Sequence, residues 1–312
     1  MKRVAVTGAA GYIGRRLIDH IVADPAVERV LALDVRPLAH PSAKVTFVQH
    51  DVTKPMAGLF RERGIEAAAH LAFILNPVHD REREREVNVG GTENFCEACA
   101  AAGVEAMLIA ASGTAYGAWP DNPVPLTEAD PLRGKPEFPY VQDKLAQEVL
   151  ADAYEGAHPE TRVVRTRATL VLGPHVDNFV SRYFRRPVAF VVRGYNPPAP
   201  IVHEEDVAEA SWKLLQQAPA GAYNLDAPDP ITLGEALEAL GRPVLALPAA
   251  MMYALVRLGW RLRLRALTEA PPAMLDYLRY PWSCDGSRVT EVTDFRYRYD
   301  ARATLGDFVR NL

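Results

Sequence analysis

The run that opens this chain restricts its fold more than any other segment. Residues 3–7, Arg-Val-Ala-Val-Thr, read as a short buried strand, and residues 11–23 carry a helical pattern. Between them, Thr7-Gly8-Ala9-Ala10-Gly11-Tyr12-Ile13-Gly14 places glycines in a GxxGxxG spacing. Glycine is needed where a backbone turns tightly, where it must approach a ligand, and where helix and strand pack closely. A helix that starts at such a loop offers free amides and a positive dipole end to phosphates. The run therefore reads as a dinucleotide loop, with Gly8, Gly11, Tyr12, Ile13 and Gly14 as candidate contacts.

The following residues continue the alternation. Strand-like runs at 29–34, 45–48, 66–72, 105–111 and 162–166 are separated by helical patterns at 55–63, 79–102 and 138–156. Short strands buried on both faces, alternating with helices, predict an α/β fold with a doubly wound parallel sheet. The charge run from Arg81 to Glu86 reads as a solvated helix face. Beyond residue 170 the pattern loosens and prolines cluster, at 187, 197, 198 and 200 and again at 271 and 272. The expected organisation is a dinucleotide-binding domain over 1–170, rejoined by 201–226 with a helix near 204–217. A smaller C-terminal substrate lobe would use 171–200 and 227–312.

Composition narrows the function classes. The chain has 312 residues, 49% hydrophobic and 24% charged, which excludes a disordered or collagenous protein. A net charge of −4 argues against a general nucleic-acid binder. Three cysteines are too few for a disulfide scaffold, and the Cys96–Cys99 pair sits in a helical pattern with no second ligand pair, so no metal site is expected. The N-terminus runs straight into Val4-Ala5-Val6 without a targeting pattern, and a cytoplasmic chain is expected. Residues 248–267 are apolar but broken by Arg257, Arg261, Arg263 and Arg265, so no spanning membrane segment is expected. This segment reads as packing on the domain or over a ligand, with an interfacial amphipathic helix as the alternative.

Asp34 ends the second strand, 20 residues beyond Gly14. A carboxylate there can accept hydrogen bonds from ribose hydroxyls and would repel a 2′-phosphate, which favours NAD over NADP. Arg36 is the group that could instead meet a 2′-phosphate. Tyr140 and Lys144 stand four residues apart on a predicted helix, hence on one face. A neighbouring ammonium favours a phenolate, which can take the proton of a substrate hydroxyl as hydride leaves its carbon. Ser112 ends the preceding strand, where a parallel sheet places its ligand crevice, and could hold the substrate oxygen.

With these residues in order, the chain resembles an extended short-chain dehydrogenase/reductase of the NAD-dependent epimerase/dehydratase type, over roughly residues 3–226. Gly8, Gly11 and Gly14 match the family's cofactor loop. Asp51 and Val52 resemble its adenine contact, and His70-Leu71-Ala72 its cofactor-lining fourth strand. Asn88 to Thr92 match the NVxGT motif, Ser112 to Gly117 the serine motif, and Tyr140 with Lys144 the catalytic pair. Arg167 to Pro174 and His203 to Val207 resemble two later stretches. The resemblance implies a Rossmann-type fold, NAD as cofactor, Tyr-Lys-Ser catalysis on a small-molecule substrate, and a homodimer built from helices 79–102 and 138–156.

Departures bear on the chemistry. Gly113-Thr114 stand where family dehydratases carry an acid pair, which argues against water elimination. Leu170 and Ala199 replace an asparagine and an arginine that serve the nucleotide diphosphate in nucleotide-sugar enzymes, although Arg182, Arg185, Arg186 or Arg193 could bind it from elsewhere. The leading reading is an NAD-dependent epimerase or dehydrogenase of a sugar or nucleotide-sugar. The alternatives are a reductase of an apolar alcohol or ketone, supported by Phe179, Tyr183, Phe184, Phe190, Tyr195, Met251, Met252, Tyr253 and Trp260 in the second lobe, and a non-catalytic dinucleotide sensor. His70 and His203 read as histidines satisfied by backbone, Asn88 as an organiser of the helix and the site backbone, Tyr116 as pocket wall or core, and Asp206 as the cap of the next helix.

Overall fold

A computed structural model describes residues 1–311. Seven strands form one parallel sheet: β1 (Arg3–Thr7), β2 (Arg29–Asp34), β3 (Val45–Gln49), β4 (Ala67–His70), β5 (Ala106–Ala110), β6 (Arg162–Ala168) and β7 (Gly221–Leu225). Their spatial order is β7-β6-β5-β4-β1-β2-β3. The sheet is wound outward in both directions from β1, and the order reverses between β1 and β4. A ligand crevice forms at such a switch point, outside the carboxyl ends of the strands.

Period-two alternation divides the core into two layers. Val4 and Val6 of β1 face helix α1 (Tyr12–Ala23) through Leu17, Ile18 and Ile21. Ala5, Leu31 and Leu33 face the opposite layer, where α2 (Ala57–Arg63) contributes Phe60, α3 (Gly91–Ala102) Phe95 and Cys99, and α4 (Pro139–Ala157) Ala151 and Tyr154. Cys96 and Cys99 are thus buried, free thiols of a helix face. In the second half, α5 (Phe179–Arg185) belongs to the smaller lobe, and α6 (Glu204–Gln217) returns to pack on α1 with Trp212, Leu214 and Leu215. The lobe continues through α7 (Ala249–Arg261), the one-turn-type helix Pro272–Leu278, and a two-stranded sheet of Ala189–Val192 with Val244–Leu247.

Two expectations need correction. The segment 79–102 is not one uniform helix. A turn at Arg81–Arg85 passes through a π-helical turn, Glu86–Gly90, before α3 begins. The wider turn coincides with Asn88, whose Oδ1 accepts from the Ile74 amide at 2.7 Å and whose Nδ2 donates to Asp143 at 3.1 Å. The charge run is also not wholly solvated, because Glu84 is buried and paired with Arg81.

Helix α4 is tied to β6 by a buried ion pair. Arg167 donates from Nε and Nη2 to the two oxygens of Glu148, at 2.8 and 3.0 Å, and from Nη1 to the hydroxyl of Tyr116 at 2.8 Å. Tyr116 in turn donates to Asn224 of β7 and is core, not pocket wall. Breaking a buried pair on one side leaves an uncompensated charge. Arg167→Leu is expected to lower unfolding stability by about 3–5 kcal/mol, and Arg167→Leu with Glu148→Leu by clearly less, as read by urea denaturation.

Candidate active site

The glycine loop closes against the neighbouring strands. Gly8 has φ +70°, and a Cβ there would lie 2.5 Å from the Ala72 amide nitrogen; a Cβ at Gly14 would lie 2.3 Å from the Gly8 carbonyl oxygen. A side chain fits at neither position. Helix α1 has no side-chain cap, so its first-turn amides are left for a ligand at the mouth of the loop. Asp34 is buried; one carboxylate oxygen accepts from the Ala10 amide, the other from the Arg36 amide, each at 2.9 Å. Arg36 is largely exposed, with its Nε 3.5 Å from the same carboxylate.

A cleft of about 710 Å³ extends from this loop. It is lined by Gly8, Gly11, Tyr12, Ile13, Gly14, Asp34, Arg36, Asp51, Val52, Leu71, Ala72, Ser112, Tyr140 and Lys144. Every residue singled out from the sequence as a cofactor or catalytic candidate therefore borders one space. Asp51 is not free within it: Arg83 donates to one oxygen at 2.8 Å and the Thr53 amide to the other at 3.0 Å.

Tyr140 sits on the first turn of α4, edge-on to Phe73 at 5.4 Å between ring centroids. Burial raises its phenol pKa, and the neighbouring hydroxyls of Ser112 and Thr114 oppose that rise. Ser112 caps the short turn Gly113–Tyr116, and Thr114 donates its hydroxyl to Ser112 Oγ at 2.9 Å. Lys144 is buried; its ammonium donates to the Ala110 carbonyl at 2.6 Å and to Gln147 Oε1 at 2.9 Å, and lies 3.7 Å from the Phe73 ring centroid. Burial lowers its pKa to about 7, against the opposing fields of Glu148 and Asp143.

A buried chain of hydrogen bonds leads from Lys144 to the switch point. Gln147 donates to Thr92 Oγ1 at 2.8 Å, and Thr92 donates its own proton to the Asn88 carbonyl at 2.7 Å. His70 Nε2, 3.2 Å from Thr92 Oγ1, must then be the donor in that contact, which leaves Nδ1 to accept from Thr7 at 2.8 Å. Burial depresses the His70 pKa to about 3, so the ring stays neutral. His70 is satisfied by two threonine hydroxyls rather than by backbone.

One further residue departs from expectation. Asp206 lies inside α6 and accepts from the amides of Arg298 and Tyr299, so it anchors the C-terminal segment instead of capping. The cap is His203, which accepts from the Glu205 amide and stacks on Tyr299 at 3.7 Å.

Next to the cleft lies a second, apolar cavity of about 260 Å³ in the smaller lobe. Phe179, Tyr183, Phe184, Phe190, Met252 and Leu255 are among its walls. Leu170, Phe179, Val180, Met274, Tyr277 and Trp282 border both spaces, so the cavity adjoins the cleft. Sequence reasoning missed Phe73, Met274, Tyr277 and Trp282. Phe73 directly follows His70-Leu71-Ala72 and could have been found from that; the last three stand in a stretch without periodic signal. Neither Leu170 nor Ala199, both on the cavity wall, offers a diphosphate a hydrogen bond. Arg182 is paired with Glu269 and Asp177, Arg185 donates to the Val176 carbonyl, Arg186 to the Leu267 and Arg265 carbonyls, and Arg193 to that of Ala246.

The model of the family described as "NAD dependent epimerase/dehydratase family" matches residues 4–226. The chain belongs to this family. An uncharacterized protein of Mycobacterium tuberculosis is 25% identical over 99% of this chain and 84% of its own length. A UDP-glucose 4-epimerase of Mycolicibacterium smegmatis is 34% identical, over 50% of this chain and 52% of its own. Among solved structures, the Thermus thermophilus UDP-glucose 4-epimerase complex with NAD superposes with a TM-score of 0.75 at 22% identity, covering 99% of this chain and 98% of the other. The likeness to the solved structure is one of fold, with a doubly wound parallel sheet of the Rossmann type.

The depressed ammonium has a thermodynamic consequence. The unfolded chain binds a proton at Lys144 up to the ordinary lysine range, near pH 10, whereas the folded chain releases it near pH 7. Stability therefore rises with pH between these values. Lys144→Met is expected to raise the melting temperature relative to the native protein most below pH 7, with the difference shrinking towards pH 10, as read by calorimetry across that range.

Proposed function

We propose that this family member is an NAD-dependent oxidoreductase acting on a secondary alcohol or its ketone, with an apolar substrate body. The observation that carries the substrate class is the apolar cavity opening onto Tyr140's cleft through Leu170, Phe179, Met274 and Trp282. A ligand pocket of this kind is mostly apolar with a few placed polar groups. Here Tyr140, Ser112 and Lys144 supply those groups. The engaged arginines and the apolar side chains at Leu170 and Ala199 support this reading over a nucleotide-sugar.

The loop residues fit the cofactor. Gly8 and Gly14 leave the backbone bare where a Cβ would collide, the first-turn amides of α1 suit a pyrophosphate, and buried Asp34 suits ribose hydroxyls and disfavours a 2′-phosphate. When bound, a nicotinamide ring supplies the acceptor for the hydride that leaves the carbinol carbon. In alcohol oxidation Tyr140, as phenolate, takes the hydroxyl proton. Lys144, held by Ala110 and Gln147, favours the phenolate electrostatically. Ser112, fixed by Thr114, donates to the substrate oxygen. Water elimination is disfavoured because Gly113 and Thr114 bring no carboxylate to the site.

Tyr140→Phe is expected to lower kcat for NAD-linked oxidation by about 10²–10⁴-fold with NAD affinity unchanged, followed as NADH absorbance. Full turnover by this variant would overturn the mechanism. Along a series of secondary alcohols, each added methylene is expected to lower KM about fourfold until the cavity is filled, from roughly 0.8 kcal/mol per CH₂. Thermal stabilisation by a nucleoside diphosphate, with no gain along the alcohol series, would return the substrate to the nucleotide-sugars.

A further inference from the structure

Helix α7 turns an apolar stripe towards solvent. Met251, Leu255, Leu258 and Leu262 recur at intervals of four, three and four residues, so they share one face, and they are 50%, 42%, 51% and 56% exposed. The patch continues into Leu264 and Leu267 beyond the helix, and the exposed strand residues Val244 and Leu245 belong to the same lobe. Monomeric proteins seldom leave so many large apolar side chains together unless the face meets a partner.

The charge around the stripe identifies that partner. Arg257, Arg261, Arg263 and Arg265 are all exposed, and among the described residues none of their side chains makes an ion pair or a hydrogen bond. Residues 239–268 contain no Asp or Glu, in a chain whose net charge is −4. A second copy docked stripe to stripe would bring two sets of four unpaired guanidinium groups together with no local carboxylate to answer them. An anionic lipid surface answers both halves of the face, with acyl chains for the leucines and phosphates for the arginines.

The face is also continuous with the substrate space. Leu255, Ala266 and Leu267 are exposed on it and at the same time line the apolar cavity. On the opposite side of the same helix Trp260 stacks on His79 at 4.2 Å, next to Val78, which lines the cleft. A chain seated on this face would hold the mouth of the cavity against the bilayer.

We propose that α7 and the Leu262–Leu267 segment form a docking surface for anionic lipid bilayers, holding the enzyme flat on the membrane with the apolar cavity open to it. Among the described residues no helix is long and apolar enough to cross a bilayer, so attachment would be interfacial and reversible.

The test is flotation of the full chain with vesicles of phosphatidylcholine alone and of phosphatidylcholine with phosphatidylglycerol, at low and high salt. The expected result is binding to the anionic vesicles that weakens as salt screens the arginines. Leu258→Glu with Leu262→Glu should reduce partitioning at least tenfold. The quadruple arginine-to-glutamine variant should reduce it about fivefold per residue and remove the salt dependence. Neither variant touches the cleft, so stabilisation by NAD should be unchanged and reports that each is folded. Absence of flotation with anionic vesicles, or flotation unaffected by both variants, overturns the proposal. So does a dimer, seen by sedimentation velocity, that Leu258→Glu dissociates while the native chain ignores vesicles.

Discussion

The site is organised around a buried imidazole that does not ionise. His70, at the end of β4, accepts from Thr7 at the end of β1 and donates to Thr92 of α3. It thereby ties together the two strands whose divergence creates the crevice. Thr92 passes the arrangement on to Gln147, and Gln147 to Lys144. Each donor–acceptor direction is set by the next, because Thr92 has only one proton and gives it to Asn88. A charged His70 would donate from both nitrogens and turn Thr7 from donor to acceptor. Burial, which holds its pKa near 3, is what keeps the line of hydrogen bonds in one register.

The same economy of polar groups separates the two halves of the molecule. Around the sheet, buried polar side chains are matched: Asp143 with Asn88 and the Arg81 guanidinium, Glu148 with Arg167, Tyr116 with Asn224. In the smaller lobe the walls of the cavity are mostly leucines, phenylalanines, methionines, prolines and a tryptophan, and the arginines near it are held by backbone carbonyls or by Glu269. One half is built to hold a polar cofactor in a defined pose. The other encloses a mostly apolar cavity, and the exposed stripe of α7 extends that character to the outside.

Much of the first half was legible because its signals are local. The strand, glycine loop and helix over residues 3–23, the strands near 29, 45 and 106, and helix 204–217 appear where periodicity placed them. The candidate residues from Gly8 to Lys144 converge on one cleft for the same reason: a parallel sheet sends the ends of β1, β2, β4 and β5 to one edge. What was not legible depended on partners far along the chain. Asn88 at the π turn bonds to Ile74 and Asp143, 14 and 55 residues away, and Asp206 to amides 92 and 93 residues away. Met274, Tyr277 and Trp282 reach the site from a stretch whose sequence has neither a helical nor a strand period.

By itself, the sequence determined the parallel α/β architecture, the glycine loop between β1 and α1, and the placing of Tyr140 and Lys144 one turn apart on a single helix beside the cleft, since these rest on spacings of a few residues that backbone geometry converts directly into position. Only the tertiary structure decided what surrounds them. It showed that Leu170 and Ala199 face an apolar cavity, that the lobe's arginines are engaged elsewhere, and that the leucines of α7 face outward with unpaired arginines beside them. Whether a side chain is buried, paired or exposed is settled by segments distant in sequence meeting in space, and no local pattern carries that information.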